Sequence, residues 1–222
     1  MSQRFQLVFG LTADPIHLGH EQVIINSIEY FRKLNKKIGQ FLLVPVFNPN
    51  LIAGKKSPHA SFDQRLEMCQ LVANRLSKKL KTQILVSDIE KKLSQKTGKS
   101  NYSFDTLKAL ELKRGLVIAC ADHFKGRWPK FRKWHCWQNL VKGTGLLINR
   151  RPGNKINLNF IKGLQKINKD VYVVESDKSV NTSSTFIRKN IKCNFDMSNH
   201  LSDDIMSYIS QKSLYQNSDS LS

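Results

Sequence analysis

Long apolar runs are missing from this chain. No stretch of roughly 18 apolar residues occurs, so no membrane-spanning helix and no membrane partner are expected. Cysteine is scarce. Cys69, Cys120, Cys136 and Cys193 form no metal-binding or redox spacing, which points to buried thiols in a reducing compartment. The sequence runs directly into a strand-like segment, without the apolar region of a secretory leader, so a cytoplasmic protein is expected. No GxxxxGK(S/T) loop is present, nor a zinc-finger, RRM or basic-zipper signature. Gly143-Thr144-Gly145 lacks the third glycine of a dinucleotide fingerprint and precedes a strand instead of following one. Acidic residues are few: 17 Asp and Glu stand against 36 Lys and Arg, a net charge of +19. The basic residues are dispersed, and only Lys125 to Lys133 is dense. Nucleic acid is therefore not the partner expected first; a positive surface also attracts small phosphate-rich substrates.

What is present is an alternation. The 222 residues are 40% hydrophobic, enough for one packed domain over 1–215, with a polar tail over 216–222 expected to be disordered. Strands are expected at Phe5 to Phe9, Gln40 to Val46, Thr82 to Ser87, Leu116 to Ala121, Gly145 to Asn149 and Asp170 to Val174. Helices are expected over Glu21 to Leu34, Phe62 to Lys79 (capped by Ser61), Phe104 to Lys113, a segment ending near Val141, Leu158 to Ile167, Phe186 to Ile191 and Asp203 to Leu214. Phe47 to Ala60 reads as a loop, and the polar Asp88 to Ser100 as an exposed loop. The pattern implies an α/β fold: a doubly wound, mostly parallel sheet with a small helical part at the C-terminal end.

The junction after the first strand carries the chemistry. In Phe9-Gly10-Leu11-Thr12-Ala13-Asp14-Pro15-Ile16-His17-Leu18-Gly19-His20, Gly10 is expected to turn the backbone and Asp14-Pro15 to stiffen the loop. A helix start offers unpaired N–H groups and positive dipole charge to a phosphate. His17 and His20 lie three apart and share one side of the first turn, with Gly19 leaving room for a ligand. Two imidazole donors there suit a reacting phosphoryl group; an ordinary structural pair is the plainer alternative. No Cys, His or Glu nearby completes a metal site, so no protein-held metal is expected. A second helix start, Asn181-Thr182-Ser183-Ser184-Thr185, brings hydroxyls and Arg188, either as a phosphate cradle or as simple capping.

The stretch from Thr12 to His20 resembles the HxGH signature of the nucleotidyltransferase superfamily. Further stretches resemble one branch, the bacterial nicotinate-nucleotide adenylyltransferases: Arg65-Leu66-Glu67-Met68, Tyr102-Ser103-Phe104-Asp105-Thr106-Leu107, Ala121-Asp122 with Trp134-His135-Cys136-Trp137, Arg150-Arg151-Pro152-Gly153, and Ser183-Ser184-Thr185-Phe186-Ile187-Arg188. The resemblance implies a Rossmann-like fold and adenylyl transfer from ATP to nicotinate mononucleotide, with release of pyrophosphate. It implies His17, His20 and Arg188 as the residues acting on the triphosphate. Gly10, Leu11, Thr12, Gly19, Ser184 and Thr185 would lie against ATP, and Tyr102, Ser103, Asp122 and Trp134 against the dinucleotide's acceptor half. Mg²⁺ would arrive with ATP, held mostly by its phosphates.

The chain departs from that pattern at Leu11 (usually Gly), Ala13 (usually Phe), Cys120 (usually Gly) and Asn48-Pro49-Asn50 (usually Pro-Pro-His-Lys, with Lys55 or Lys56 as a substitute). These changes bear on the second substrate more than on phosphate transfer. The alternatives are nicotinamide mononucleotide or another phosphorylated acceptor, and a non-catalytic nucleotide or RNA-binding relative. A homo-oligomer is left open.

Overall fold

The computed structural model describes residues 4–49, 57–150, 153, 155–176 and 178–216. Six strands form one parallel sheet: β1 (Phe5–Leu11), β2 (Ile38–Pro45), β3 (Ile84–Val86), β4 (Gly115–Cys120), β5 (Gly145–Arg150) and β6 (Val171–Glu175). Their order is β3-β2-β1-β4-β5-β6, so the winding reverses between β1 and β4. That reversal opens a crevice at the carboxyl ends of two adjacent strands, where open α/β sheets place ligands.

The residues dictate why both faces are covered. In β1, Leu7, Phe9 and Leu11 join one core and Val8 the other; Phe41 and Leu43 oppose Leu42 and Val44 in β2; Leu116 and Ile118 oppose Val117 and Ala119 in β4. Side chains alternate across a strand, so apolar residues at every position bury both faces. The first face takes α1 (Leu18–Lys33), α2 (Phe62–Leu80), α7 (Ser184–Ile191) and α8 (Asp203–Gln211), through Ile24, Phe31, Met68, Leu76, Ile187 and Ile205. The second takes α4 (Ser103–Ala109), α5 (Trp137–Gly143) and α6 (Leu158–Ile167), through Leu107, Leu140, Val141, Phe160 and Leu164. On the first face a buried carboxylate joins three helices. Glu21 of α1 accepts from Arg75 of α2 at 2.7 and 3.0 Å and from Ser202 before α8 at 3.0 Å.

Four local expectations need correction. Asp88 to Ser100 is not an exposed loop: it holds helix α3 (Ile89–Thr97), with Glu90 and Ser94 buried. Helix α1 starts at Leu18, not Glu21, because the His17 carbonyl accepts from His20 and Glu21 at 2.8 and 3.1 Å. The chain does not turn at Gly10, which lies inside β1; the left-handed residue is Ala13, at φ 56°. Only Cys69 of the four thiols is buried, and burial pushes it up to about 12; Cys193 is exposed. Ser61 caps α2 as expected: its hydroxyl accepts from Gln64 N–H at 3.2 Å, and the Gln64 side chain accepts from Ser61 N–H at 2.8 Å. Lys55, Lys56, Arg151, Pro152 and the tail over 217–222 lie outside the described residues.

Gly145 fixes how closely β5 meets its neighbours. A Cβ there would lie 2.2 Å from the Asp170 carbonyl and 2.4 Å from Leu116 Cδ2, whereas one at Gly143 would meet nothing within 4 Å. Gly145→Ala should therefore destabilise the fold by about 1–3 kcal/mol in urea unfolding, as overpacking does. Gly143→Ala should leave the midpoint close to the parent value.

Candidate active site

Asp14 organises the loop between β1 and α1. Its carboxylate is buried, with Oδ1 accepting from Ala60 N–H at 3.0 Å and from the Tyr215 hydroxyl at 2.9 Å. Oδ2 accepts from His59 N–H at 2.9 Å and lies 3.3 Å from Arg188 Nη1. The same Arg188 Nη1 donates to the Asp14 carbonyl, and the Ser184 hydroxyl donates to the Pro15 carbonyl at 3.0 Å. So the start of α7 is seated on the loop that starts α1. The Asp14–Pro15 peptide is cis.

A buried guanidinium supports the loop from below. Arg65 of α2 is 1% exposed, and Nη1 donates to the carbonyls of Thr12 at 2.7 Å and Val46 at 2.6 Å. Nη2 donates to Phe47 at 3.2 Å and Nε to Ala60 at 3.4 Å. Burial pushes this guanidinium below its usual range, while the charges of Asp14 and Glu90 work in the opposite direction. A planar fork with several donors suits this task, and an ammonium would reach fewer of the four carbonyls.

The two histidines stack at the mouth of this assembly, ring centroids 3.7 Å apart and 25° between planes. His17 is the N-cap of α1 and is buried; His20 is half-buried. His20 Nδ1 accepts from His17 N–H at 3.3 Å, which assigns the proton of the neutral ring to Nε2 and makes that atom a donor. Gly19 does not leave room for a ligand in the way expected. A Cβ there would meet His17 Cε1 and Nδ1 at 3.0 Å and Thr182 Cγ2 at 3.2 Å, so the missing side chain admits the His17 ring and the segment before α7. Open space lies instead over Gly10, where a Cβ would meet nothing within 4 Å, and Thr12 beyond it is half-buried. Leu11, at the end of β1, is buried in the core.

At the second helix start, Ser183 is the cap of α7, its hydroxyl accepting from Phe186 N–H at 3.2 Å. Ser184 is engaged with Pro15, Thr185 is exposed, and Thr185 Oγ1 lies 3.5 Å from Arg188 Nη2. Thr182, one of the hydroxyls expected at this helix start, is buried with its hydroxyl oxygen unpartnered.

The residues that the resemblance assigns to the acceptor half lie at the start of α4 and in the segment after β4. Tyr102 caps α4 and is 39% exposed, its ring 4.5 Å from that of His135; Ser103 opens the helix and is exposed. Trp134, next in sequence to His135, packs edge-on to His123 at 5.1 Å and against Phe131 at 5.0 Å. Asp122 lies in the 3-10 turn Ala121–Phe124 at the end of β4 and pairs with Lys125 at 2.9 Å. His135 is thus a site neighbour missed in the sequence, although it lies inside the Trp-x-x-Trp stretch. Also missed was a shallow cleft, open to solvent and lined by Gly19, Asn26, Cys120, Asn149 and Lys178. Asn149 Oδ1 is buried there without a partner, while its Nδ2 donates to Ser27 at 3.1 Å. Among the described residues no group of three or more His, Cys, Asp and Glu is placed to hold a metal ion.

With that geometry in view, the family is clear: the chain belongs to the cytidylyltransferase-like family, whose model matches residues 8–190. Among curated relatives, the chain is 32% identical to a probable nicotinate-nucleotide adenylyltransferase of Acidithiobacillus ferrooxidans, over 66% of this chain and 60% of that protein. It is 28% identical to another of that name in Psychromonas ingrahamii, over 93% of this chain and 95% of the relative. Among solved structures, nicotinic acid mononucleotide adenylyltransferase of Plasmodium falciparum, complexed with NaAD, superposes with a TM-score of 0.72. It covers 96% of this chain and 98% of its own, at 21% identity, and so supports the fold.

Burial and the Asp14 carboxylate together raise the Tyr215 hydroxyl above its ordinary value. A tyrosine with a raised folded pKa stabilises fully below its unfolded value and loses that contribution as pH climbs past it. Tyr215→Phe should lower stability by about 1.5–3 kcal/mol at neutral pH, the usual loss for a hydrogen bond to a charged group. Above pH about 10 the variant should also lose stability less steeply than the parent. Thermal melts from pH 7 to 11 read both effects.

Proposed function

We propose that the protein transfers the adenylyl group of ATP to nicotinate mononucleotide, forming the deamido dinucleotide and pyrophosphate. The observation that carries this reading is the seating of two helix starts on one loop, through Asp14 with Arg188 and Pro15 with Ser184. The aromatic rings of Tyr102 and His135, 4.5 Å apart, with Trp134 next in sequence to His135, suit a pyridine ring.

In the reaction a 5′-phosphate oxygen of the mononucleotide attacks the α-phosphorus of ATP in line. The new O–P bond forms as the bond to the β-phosphate bridging oxygen breaks, and pyrophosphate leaves with that electron pair. The attacking phosphate is already ionised at neutral pH, so no general base is required. Catalysis is then alignment and charge stabilisation. His20 Nε2–H and the His17 ring donate to the triphosphate oxygens. Arg188 adds positive charge from the α7 side, and Ser184, Thr185, Gly19 and the Gly10, Leu11 and Thr12 backbone border the nucleotide. Asp122 faces the ribose region. The base of ATP enters the cleft beside α1. Mg²⁺ bound to ATP would neutralise charge on the phosphates and be held mainly by them.

His17→Ala and His20→Ala should each reduce turnover by roughly 10²–10³, as loss of one preorganised donor does; near-parental rates in both would remove their assigned roles. Pyrophosphate release from Mg-ATP should be faster with nicotinate mononucleotide than with nicotinamide mononucleotide. The reverse order would reassign the acceptor, and release with neither would favour a nucleotide sensor.

A further inference from the structure

Helix α3 carries a buried carboxylate that the transfer reaction does not use. Glu90 is 6% exposed on a helix otherwise rich in Lys. An anion held out of water is maintained only where partners are fixed around it. Glu90 Oε2 accepts from Phe47 N–H at 3.1 Å and Oε1 from the Thr106 hydroxyl at 3.1 Å. Each partner leads to one half of the proposed site. The Phe47 carbonyl is held by Arg65, whose Nη1 also holds the Thr12 carbonyl in the phosphate loop. Thr106 bonds the Tyr102 carbonyl through its N–H at 3.1 Å and lies 3.2 Å from it through its hydroxyl. The Glu90 carbonyl accepts from Asn101 at 2.7 Å, which pins the residue just before Tyr102. The result is one continuous bonded path, Thr12, Arg65, Phe47, Glu90, Thr106, Tyr102, with Arg65, Glu90 and Thr106 buried at its centre.

We infer that Glu90 is a positioning residue that sets the distance between the phosphate loop and the start of α4, and so aligns the acceptor phosphate with the α-phosphorus. This rests on the adenylyl-transfer reading given above. The physical argument is one of tolerance. In-line transfer requires near-attack geometry, and a displacement of about 1 Å costs up to ~10² in rate. The two halves belong to different loops, and Glu90 is the side chain that bonds to both.

Two substitutions separate this role from plain stability. Glu90→Ala removes both bonds and should lower kcat by up to ~10² while raising KM for nicotinate mononucleotide about tenfold or more, with KM for ATP nearly unchanged. Glu90→Gln should restore near-parental values, because its carbonyl still accepts from Phe47 while its amide donates to Thr106, whose proton then turns to Tyr102. Thr106→Val, which cuts the path without opening a cavity, should reproduce the acceptor-side defect if the alanine variant fails to fold. Titrating the mononucleotide against tryptophan fluorescence should show the same loss of affinity without turnover. Equal changes in both KM values, failure of glutamine to rescue, or a lowered melting temperature with kcat and both KM values intact would each overturn the inference. If the parent protein binds the mononucleotide but releases no pyrophosphate, the adenylyl-transfer reading fails, and the titration still decides the role of Glu90. If the parent binds neither substrate, both fall together.

Discussion

A buried carboxylate cannot remain ionised in a protein interior unless several donors converge on it. Asp14 meets that condition with donors from three distant parts of the chain: the segment before α2, helix α7 and the region after α8. Those partners bring elements that share no local sequence to a single loop. The left-handed backbone at Ala13 then follows, because residues on either side are pinned, Thr12 by Arg65 and Asp14 by its own donors. An L-residue adopts that conformation only where its surroundings leave no alternative. The histidine pair sits one helical turn further on and takes its orientation from this frame.

The sheet was legible because each strand announces itself: apolar at nearly every position, bounded by turn residues, separated by helical periodicity. The histidine pair and both helix starts were legible for a similar reason, since capping and spacing are short-range signals. Helix α3 was not. Its sequence Ile89-Glu90-Lys91-Lys92-Leu93-Ser94 has too few apolar residues for a stripe, and the side chains it buries, Glu90 and Ser94, are polar. Periodicity reads hydrophobicity, so a helix that turns a carboxylate inward is invisible to it. The Asp14 network was equally hidden, with partners 45, 46 and 201 positions away. Gly10 and Gly19 misled because a glycine in a motif suggests a turn or a gap, whereas here one lies within a strand and the other gives way to an imidazole ring.

The departures from the resembling motifs fall unevenly in space. Leu11 faces the core beneath the loop, and Ala13 is buried where a phenylalanine is usual, so both alter packing under the phosphate side without removing a donor. Cys120 borders the cleft beside α1, adjacent in the sheet to Asn149, and changes the shape of the wall that a nucleobase would meet. The basic excess is also uneven: the dense run from Lys125 to Lys133 flanks Trp134 and includes the 76% exposed Trp128. Positive potential there would draw anionic ligands toward this part of the surface before contact.

The bond from Tyr215 to Asp14 closes the longest loop in this network, 201 residues. During synthesis the sheet and its helices can assemble progressively from the first strands onward, but this closure must wait until Tyr215 has emerged from the ribosome. A nascent or prematurely terminated product would hold a nearly complete sheet while its nucleotide loop still lacked a final brace. The loop between β1 and α1 would thus receive its final brace only after the sheet that carries it has formed.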